Sequence, residues 1–220
     1  MDFKRLILLS GHYGSGKTNL AVNLALQLKK QRERVTIADI DIVNPYFRTS
    51  DSRGDLMENG IRLICSDFAG SNVDLPSLPA DIYSLTDDPG QTAIIDVGGD
   101  DRGALALGRI REGILRENNY EMLLVINRFR PLTRTAGQTV EIMREIEAAG
   151  GISFTAVVNN SNLGAQTTAG DVLDSMTYAH EVCKLTGLPL KMTSVNESLF
   201  EQLSGKIDHL FPLRLQKKIQ

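Results

Sequence analysis

An α/β fold, with a mostly parallel sheet of about seven strands and helices on both faces, is what the sequence predicts. Three observations predict it. Short apolar, β-branched runs alternate with longer runs of helical periodicity along the whole chain. A glycine-rich loop stands between the first strand-like run and the first helix-like run. Two further strand-like runs end in aspartate, at the edge where open α/β sheets bind their ligands.

Arg5–Ser10 reads as a buried strand, and Thr18–Lys30 as a helix with Leu20, Leu24 and Leu28 on one face. Further strands are expected at Arg34–Asp39, Ile61–Cys65, Thr92–Asp96, Met122–Asn127, Phe154–Asn159 and Leu188–Ser194. Ile142, Met143, Ile146 and Ala149 recur at helical spacing, and Gly150-Gly151 ends that helix. Residues 66–90 carry Pro76, Pro79 and Pro89, which predicts an irregular excursion with one helical turn around Ala80–Leu85. No repeat or low-complexity segment divides the chain, so residues 1–220 are read as one domain.

The loop is Gly11-His12-Tyr13-Gly14-Ser15-Gly16-Lys17-Thr18, which matches G-x-x-x-x-G-K-[ST]. Glycines let the backbone curl so that its N–H groups face phosphate oxygens. The helix N-terminus adds partial positive charge, Lys17 is suited to the β- and γ-phosphates, and the Thr18 hydroxyl to Mg²⁺. All eight residues are therefore candidate nucleotide contacts, and the fold expected is that of a P-loop NTPase.

The strand exits supply the chemistry. Asp39 and Asp41 leave the second strand one residue apart, followed by Asn44-Pro45. One carboxylate there can hold metal-bound water while the other orients an attacking water. Ile94-Ile95-Asp96-Val97-Gly98-Gly99 reads as a Walker B strand whose carboxylate supports Mg²⁺, followed by glycines whose N–H groups can sense a γ-phosphate. Thr18, Asp39, Asp41 and Asp96 are the candidate metal ligands, and Lys17 and Asp41 the candidate catalytic residues. After the sixth strand, Asn159-Asn160-Ser161-Asn162 stands where guanine-binding proteins carry N-K-x-D. Asn162 lacks the paired ionic acceptors that guanine needs, whereas the Asn159 amide offers adenine both a donor and an acceptor. Gly187-Leu188-Pro189 is expected to pack on the base, with Pro189 as a base contact. ATP is favoured over GTP.

These motifs resemble those of the MinD/ParA/Mrp group of P-loop ATPases, the deviant-Walker branch of the SIMIBI class. The resemblance runs from Leu6 to about Ser194 and is carried by Gly14–Thr18, Asp39-x-Asp41, Asn44-Pro45, Asp96 and Asn159. It implies that Asp41 orients the hydrolytic water, that Asp39 and Asp96 support Mg²⁺, and that Thr18 ligates it. It also implies a switch read by a protein partner and a nucleotide-dependent homodimer. In that group a signature lysine follows the first loop glycine and reaches the partner's phosphate. Here His12 stands at that position, which leaves the dimer open.

Other classes are excluded or disfavoured. A formal net charge of −3 gives no footprint for nucleic acid. Cys65 and Cys183 form no C-x-x-C pair, so both are expected to be core thiols rather than metal ligands. The start at Met1 runs directly into a strand and no apolar run is of bilayer length, which favours the cytoplasm. The stretch Ile207–Ile219 mixes apolar and basic residues; it is read as a docked terminal segment ahead of a membrane-surface helix. A GTP-dependent metallocentre chaperone and a small-molecule kinase or ligase, the latter using Arg128 and Arg130, are the competing functions.

Overall fold

The computed structural model describes residues 1–41, 52–65, 80–99, 103 and 106–215. The expectations for Asn44-Pro45, for residues 66–79 and for the last five residues lie outside these. Among the described residues eight strands form one sheet: β1 (Leu6–Ser10), β2 (Val35–Asp39), β3 (Arg62–Ile64), β4 (Thr92–Asp96), β5 (Tyr120–Ile126), β6 (Ala156–Asn159), β7 (Leu190–Asn196) and β8 (Leu210–Leu213). Their order is β3-β2-β4-β1-β5-β6-β7-β8, and every pairing is parallel. The α/β architecture is the expected one, with one strand more than the seven or so expected. The extra strand comes from the C-terminal stretch, where Leu210–Leu213 pairs with Thr193–Asn196. Pro212 is tolerated because β8 is an edge strand.

The helices among the described residues are α1 (Lys17–Lys29), α2 (Arg53–Glu58), α3 (Ser84–Asp87), α4 (Arg111–Glu117), α5 (Ala136–Gly150), α6 (Ala169–Thr186) and α7 (Glu197–Leu203). The turn expected around Ala80–Leu85 is a 3₁₀ turn over Ala80–Tyr83 running into α3. Local chemistry sets the longer helices. Thr135 and Gln138 form a reciprocal capping box ahead of α5, and Gly151 ends it in the left-handed region. Thr168 and Asp171 do the same for α6, which Gly187 ends.

Strand alternation splits the core in two. Leu6, Leu8 and Ile95 point to the face covered by α3, α4, α5 and α6, with Ile114, Met143, Ile146 and Val182. Ile7, Leu9, Ile94, Val125 and Val158 point to the other face, against Leu20, Ala21 and Leu24 of α1. A third cluster joins Val172 of α6 to Val195 and Leu203 beyond it. Cys65 is buried, as expected of a core thiol. Cys183, expected to be a core thiol, is only partly buried against the core.

β1 sits at the centre, between β4 on one side and β5 on the other. Chain connections diverge there, and the crevice beyond the C-terminal ends of the strands opens at that point.

Candidate nucleotide-binding site

The loop 11–16 leaves β1 at this crevice and delivers Lys17 into the first turn of α1. Two glycines are sterically required. Gly11 has φ +148°, and a Cβ there would stand 2.3 Å from the Val125 carbonyl oxygen. Gly16 has φ +89°, and a Cβ would stand 2.3 Å from the Asn160 amide nitrogen. The Lys17 ammonium is buried and donates to the Gly11 carbonyl at 2.9 Å. His12 is half-buried, Tyr13 is exposed at the tip, and Gly14 accepts a 2.7 Å hydrogen bond from Arg130 Nε. Ser15 is buried and its hydroxyl oxygen has no hydrogen-bond partner.

The acids converge on the same place. Asp39 and Asp96 end neighbouring strands as register partners. Thr18 Oγ1 donates to Asp96 Oδ2 at 2.6 Å, while Asp96 Oδ1 is buried without a partner. The Asp41 N–H donates to Asp39 Oδ1 at 3.1 Å, which folds the chain back over the strand end. Asp41 thereby lies against Gly98, where an added Cβ would stand 3.2 Å from its Oδ1. Gly99 in turn backs onto the Gly11 carbonyl. The structure thus brings Lys17, Thr18, Asp39, Asp41 and Asp96 together.

Electrostatics follow from burial. Desolvation and then the neighbouring Asp39 push Asp96 up to about 8, against the opposing pull of Lys17 and the Thr18 hydrogen bond. A cation bound here would drive that proton off. Burial, then the Lys17 charge, lowers His12 below its usual range, so its ring is neutral at pH 7.

Two buried oxygens, Ser15 Oγ and Asp96 Oδ1, are left unsatisfied beside the loop, which suits a phosphate-bearing ligand with its cation. Among the described residues no group of three or more His, Cys, Asp or Glu can hold a metal ion by itself. Mg²⁺ at phosphate sites uses one or two carboxylates, a hydroxyl, water and the phosphates themselves, so the residues present fit it.

Two residues expected at the base are elsewhere. Asn159 is fully buried, donating to Ser175 Oγ at 2.9 Å and accepting from the Ser161 N–H at 3.2 Å. Pro189 precedes β7, at the opposite edge of the sheet from the loop, because β7 runs parallel to β1 and its N-terminal end points away from the loop. In their place stand Asn160 and the other end of β7. Asn160 Nδ2 donates to the Ser15 carbonyl at 2.6 Å, and its Oδ1 accepts from Ser194 Oγ at 2.6 Å. A cavity of ≈ 330 Å³ extends from Lys17 and Thr18 past Asn160, Asn162 and Asn196. Alternation is the signal that could have found this. Val158 faces α1 and Val157 faces away, so Asn160, not Asn159, shares the loop's side of the sheet.

A phosphate loop on the central strand, followed by paired acid-bearing strand ends, defines a P-loop nucleotide-binding protein. The family described as the CobQ/CobB/MinD/ParA nucleotide binding domain matches residues 6–173, and the chain belongs to it. No curated protein matches the chain in sequence. Among solved structures the chain is similar to FtsY from Mycoplasma mycoides, with TM-score 0.58 and 19% identity over 89% of this chain and 62% of that one. FtsY from Elizabethkingia anophelis in complex with GDP gives TM-score 0.53 and 17% identity over 89% and 58%. The Signal Recognition Particle 54 kDa protein from Aeropyrum pernix K1, also in complex with GDP, gives 0.51 and 16% over 87% and 41%. At these identities the likeness is one of fold, and the chain spans less than two thirds of each of those proteins. No helix among the described residues is long and apolar enough to cross a membrane.

Proposed function

We propose that the protein is a cytoplasmic, single-domain Mg-dependent ATPase of slow turnover, whose nucleotide state is read by a partner protein. The observation that carries this reading is the buried Thr18–Asp96 pair, with an unsatisfied carboxylate oxygen, in register with Asp39 beside the phosphate loop. In this reading Lys17 leaves the Gly11 carbonyl for the β- and γ-phosphates, and the loop N–H groups bind the remaining oxygens. Thr18, Asp96 and Asp39 would hold Mg²⁺, directly or through water, with Asp41 beside them. When bound, the cation offsets phosphate charge. Asp41, resting against Gly98, orients the attacking water. Because transfer of a phosphoryl group asks mainly for positioning and charge stabilisation, these groups suffice for hydrolysis.

The residues after β6 favour adenine. Counted from Asn159, the acid position of N-K-x-D is Asn162; counted from Asn160, it is Leu163. Neither offers a carboxylate to guanine. Two of the similar structures are described with GDP, so GTP is the competing nucleotide, and a competition titration separates the two. A kinase or ligase reading is weakened by its arginines. Arg128 donates to the Asp174 carbonyl and Arg130 to that of Gly14.

Phosphate release from ATP with Mg²⁺ is the test, comparing wild type with Lys17→Ala and Asp41→Ala. Both variants are expected to fall at least about tenfold, with nucleotide binding lost in Lys17→Ala and kept in Asp41→Ala. Equal rates in all three proteins would remove the hydrolytic assignment. Solution mass with and without a non-hydrolysable ATP analogue tests whether a homodimer forms despite His12.

A further inference from the structure

We propose that the C-terminal strap Leu213–Leu215 is the apolar wall on which the nucleotide base packs, which makes β8 and its extension part of the binding site rather than only the edge of the sheet. The inference rests on the nucleotide reading above and adds the residues that hold the base.

Strand alternation sends Phe211 and Leu213 to the side of the sheet that carries α1, and Leu215 continues the same parity past the strand end. Leu213 is 3% exposed and packed against that core, whereas Leu215 is 39% exposed. Both line the cavity that begins at Lys17 and Thr18. Val172 and Val195 add further apolar lining, Asn160, Asn162 and Asn196 add amides, and Arg130 lines it with Lys17. A cavity lined by aliphatic side chains and uncharged amides, with Lys17 and Arg130 contacting the loop carbonyls of Gly11 and Gly14, suits a neutral planar heterocycle joined to phosphates.

The strap is fixed by the helix that carries the loop. Asn23 of α1 donates through Nδ2 to the Arg214 carbonyl at 2.9 Å and accepts from the Arg214 N–H at 2.8 Å. This two-way clamp holds the strap backbone on either side of the exposed Arg214 side chain, which pairs with Glu197 at 2.9 Å. Surface pairs of that kind contribute little, so the Asn23 clamp is the part that sets where Leu215 stands. Phosphate and base subsites therefore hang from one helix.

The experiment compares ATP with inorganic tripolyphosphate, which has the phosphates and no base, by calorimetric titration with Mg²⁺. Leu215→Ser is expected to weaken ATP binding about tenfold and leave tripolyphosphate within about twofold. Leu215→Met is expected to restore ATP binding, and Asn23→Ala to lose ATP affinity selectively through a displaced strap. Wild-type ATP affinity in Leu215→Ser overturns the proposal, as does an equal loss for both ligands. If the wild type binds neither ligand, the nucleotide reading fails and the strap falls with it. If the wild type binds ATP and Leu215→Ser matches it, the strap alone fails.

Discussion

The Thr18 hydroxyl donates to Asp96 at 2.6 Å and so ties the first turn of α1 to the end of β4. A helix start and a strand end, 78 residues apart in sequence, are locked together at the point where the phosphate loop turns. The lock is buried, and it leaves one carboxylate oxygen unpaired. In the proposed reading, a cation held by Thr18 and Asp96 would take the place of this hydrogen bond.

That buried carboxyl carries a pH signature. Its folded-state pKa is raised to about 8, first by burial and then by Asp39, well above an ordinary aspartate. A raised pKa means that the stability it contributes is fully present below the unfolded value and is lost as pH rises through the folded one. The nucleotide-free protein is therefore expected to lose thermal stability between about pH 4 and pH 8. Asp96→Asn removes that slope. Melting temperatures of both proteins across this range check it, and parallel curves would refute the assignment.

Backbone crowding gives a second expectation. Gly11→Ala forces a Cβ onto the Val125 carbonyl near the C-terminal end of β5, and that backbone oxygen is no flexible side-chain tip. A loss of about 2–4 kcal/mol is expected, with nucleotide binding abolished. Gly137 is the control. It lies in α5 with nothing within 4 Å of an added Cβ, so Gly137→Ala is neutral or stabilising by up to about 1 kcal/mol. Urea denaturation of the two variants separates steric need from general glycine loss.

Much of this site is legible in sequence because its determinants are local. The phosphate loop announces itself by residue type and spacing, and Asp39 and Asp96 by ending apolar runs. The expectations for Asn159 and Pro189 turn on strand parity and strand direction, which the motifs do not carry. β7 runs parallel to β1, so Pro189 at its N-terminal end lies at the far edge, and one step of alternation moves the loop contact from Asn159 to Asn160. β8 reads as a docked or membrane-facing tail because Pro212 and the basic residues around it argue against a central strand. Only the pairing with β7 reveals an edge position, where proline is harmless.

His12 is expected to act as a neutral ring. Burial and Lys17 both lower its pKa, so protonation belongs below the usual histidine range near 6.5. His12→Gln should match the wild type in ATP affinity at pH 7.5, within about twofold. As pH falls well below 6.5, the wild type gains a positive charge beside the phosphate loop and should bind more tightly than the variant. Affinity profiles that differ at pH 7.5 and merge in acid would reverse this view.

Asn159 and Asn160 are adjacent, chemically identical and expected to fail differently. Asn160 holds the Ser15 carbonyl and the Ser194 hydroxyl at once, both at 2.6 Å, so it braces the phosphate loop against the end of β7. Asn160→Ala takes the Nδ2 donor from the Ser15 carbonyl, leaves the Ser194 hydroxyl with only its 3.4 Å bond to the Asn159 carbonyl and unbraces Ser15, at a cost of about 2–4 kcal/mol. ATP affinity should fall with it, by about tenfold or more. Asn159 instead ties β6 to Ser175 of α6, on the far side of the sheet from the loop. Asn159→Ala should cost about 1–3 kcal/mol in stability and leave ATP affinity within about threefold at a temperature where both proteins are folded. Asn160→Asp sharpens the contrast, because it replaces the donor facing the Ser15 carbonyl with a second acceptor. Calorimetric binding beside urea denaturation for the three variants decides the matter: if Asn159→Ala costs more affinity than Asn160→Ala, the base-side contact belongs to Asn159 after all.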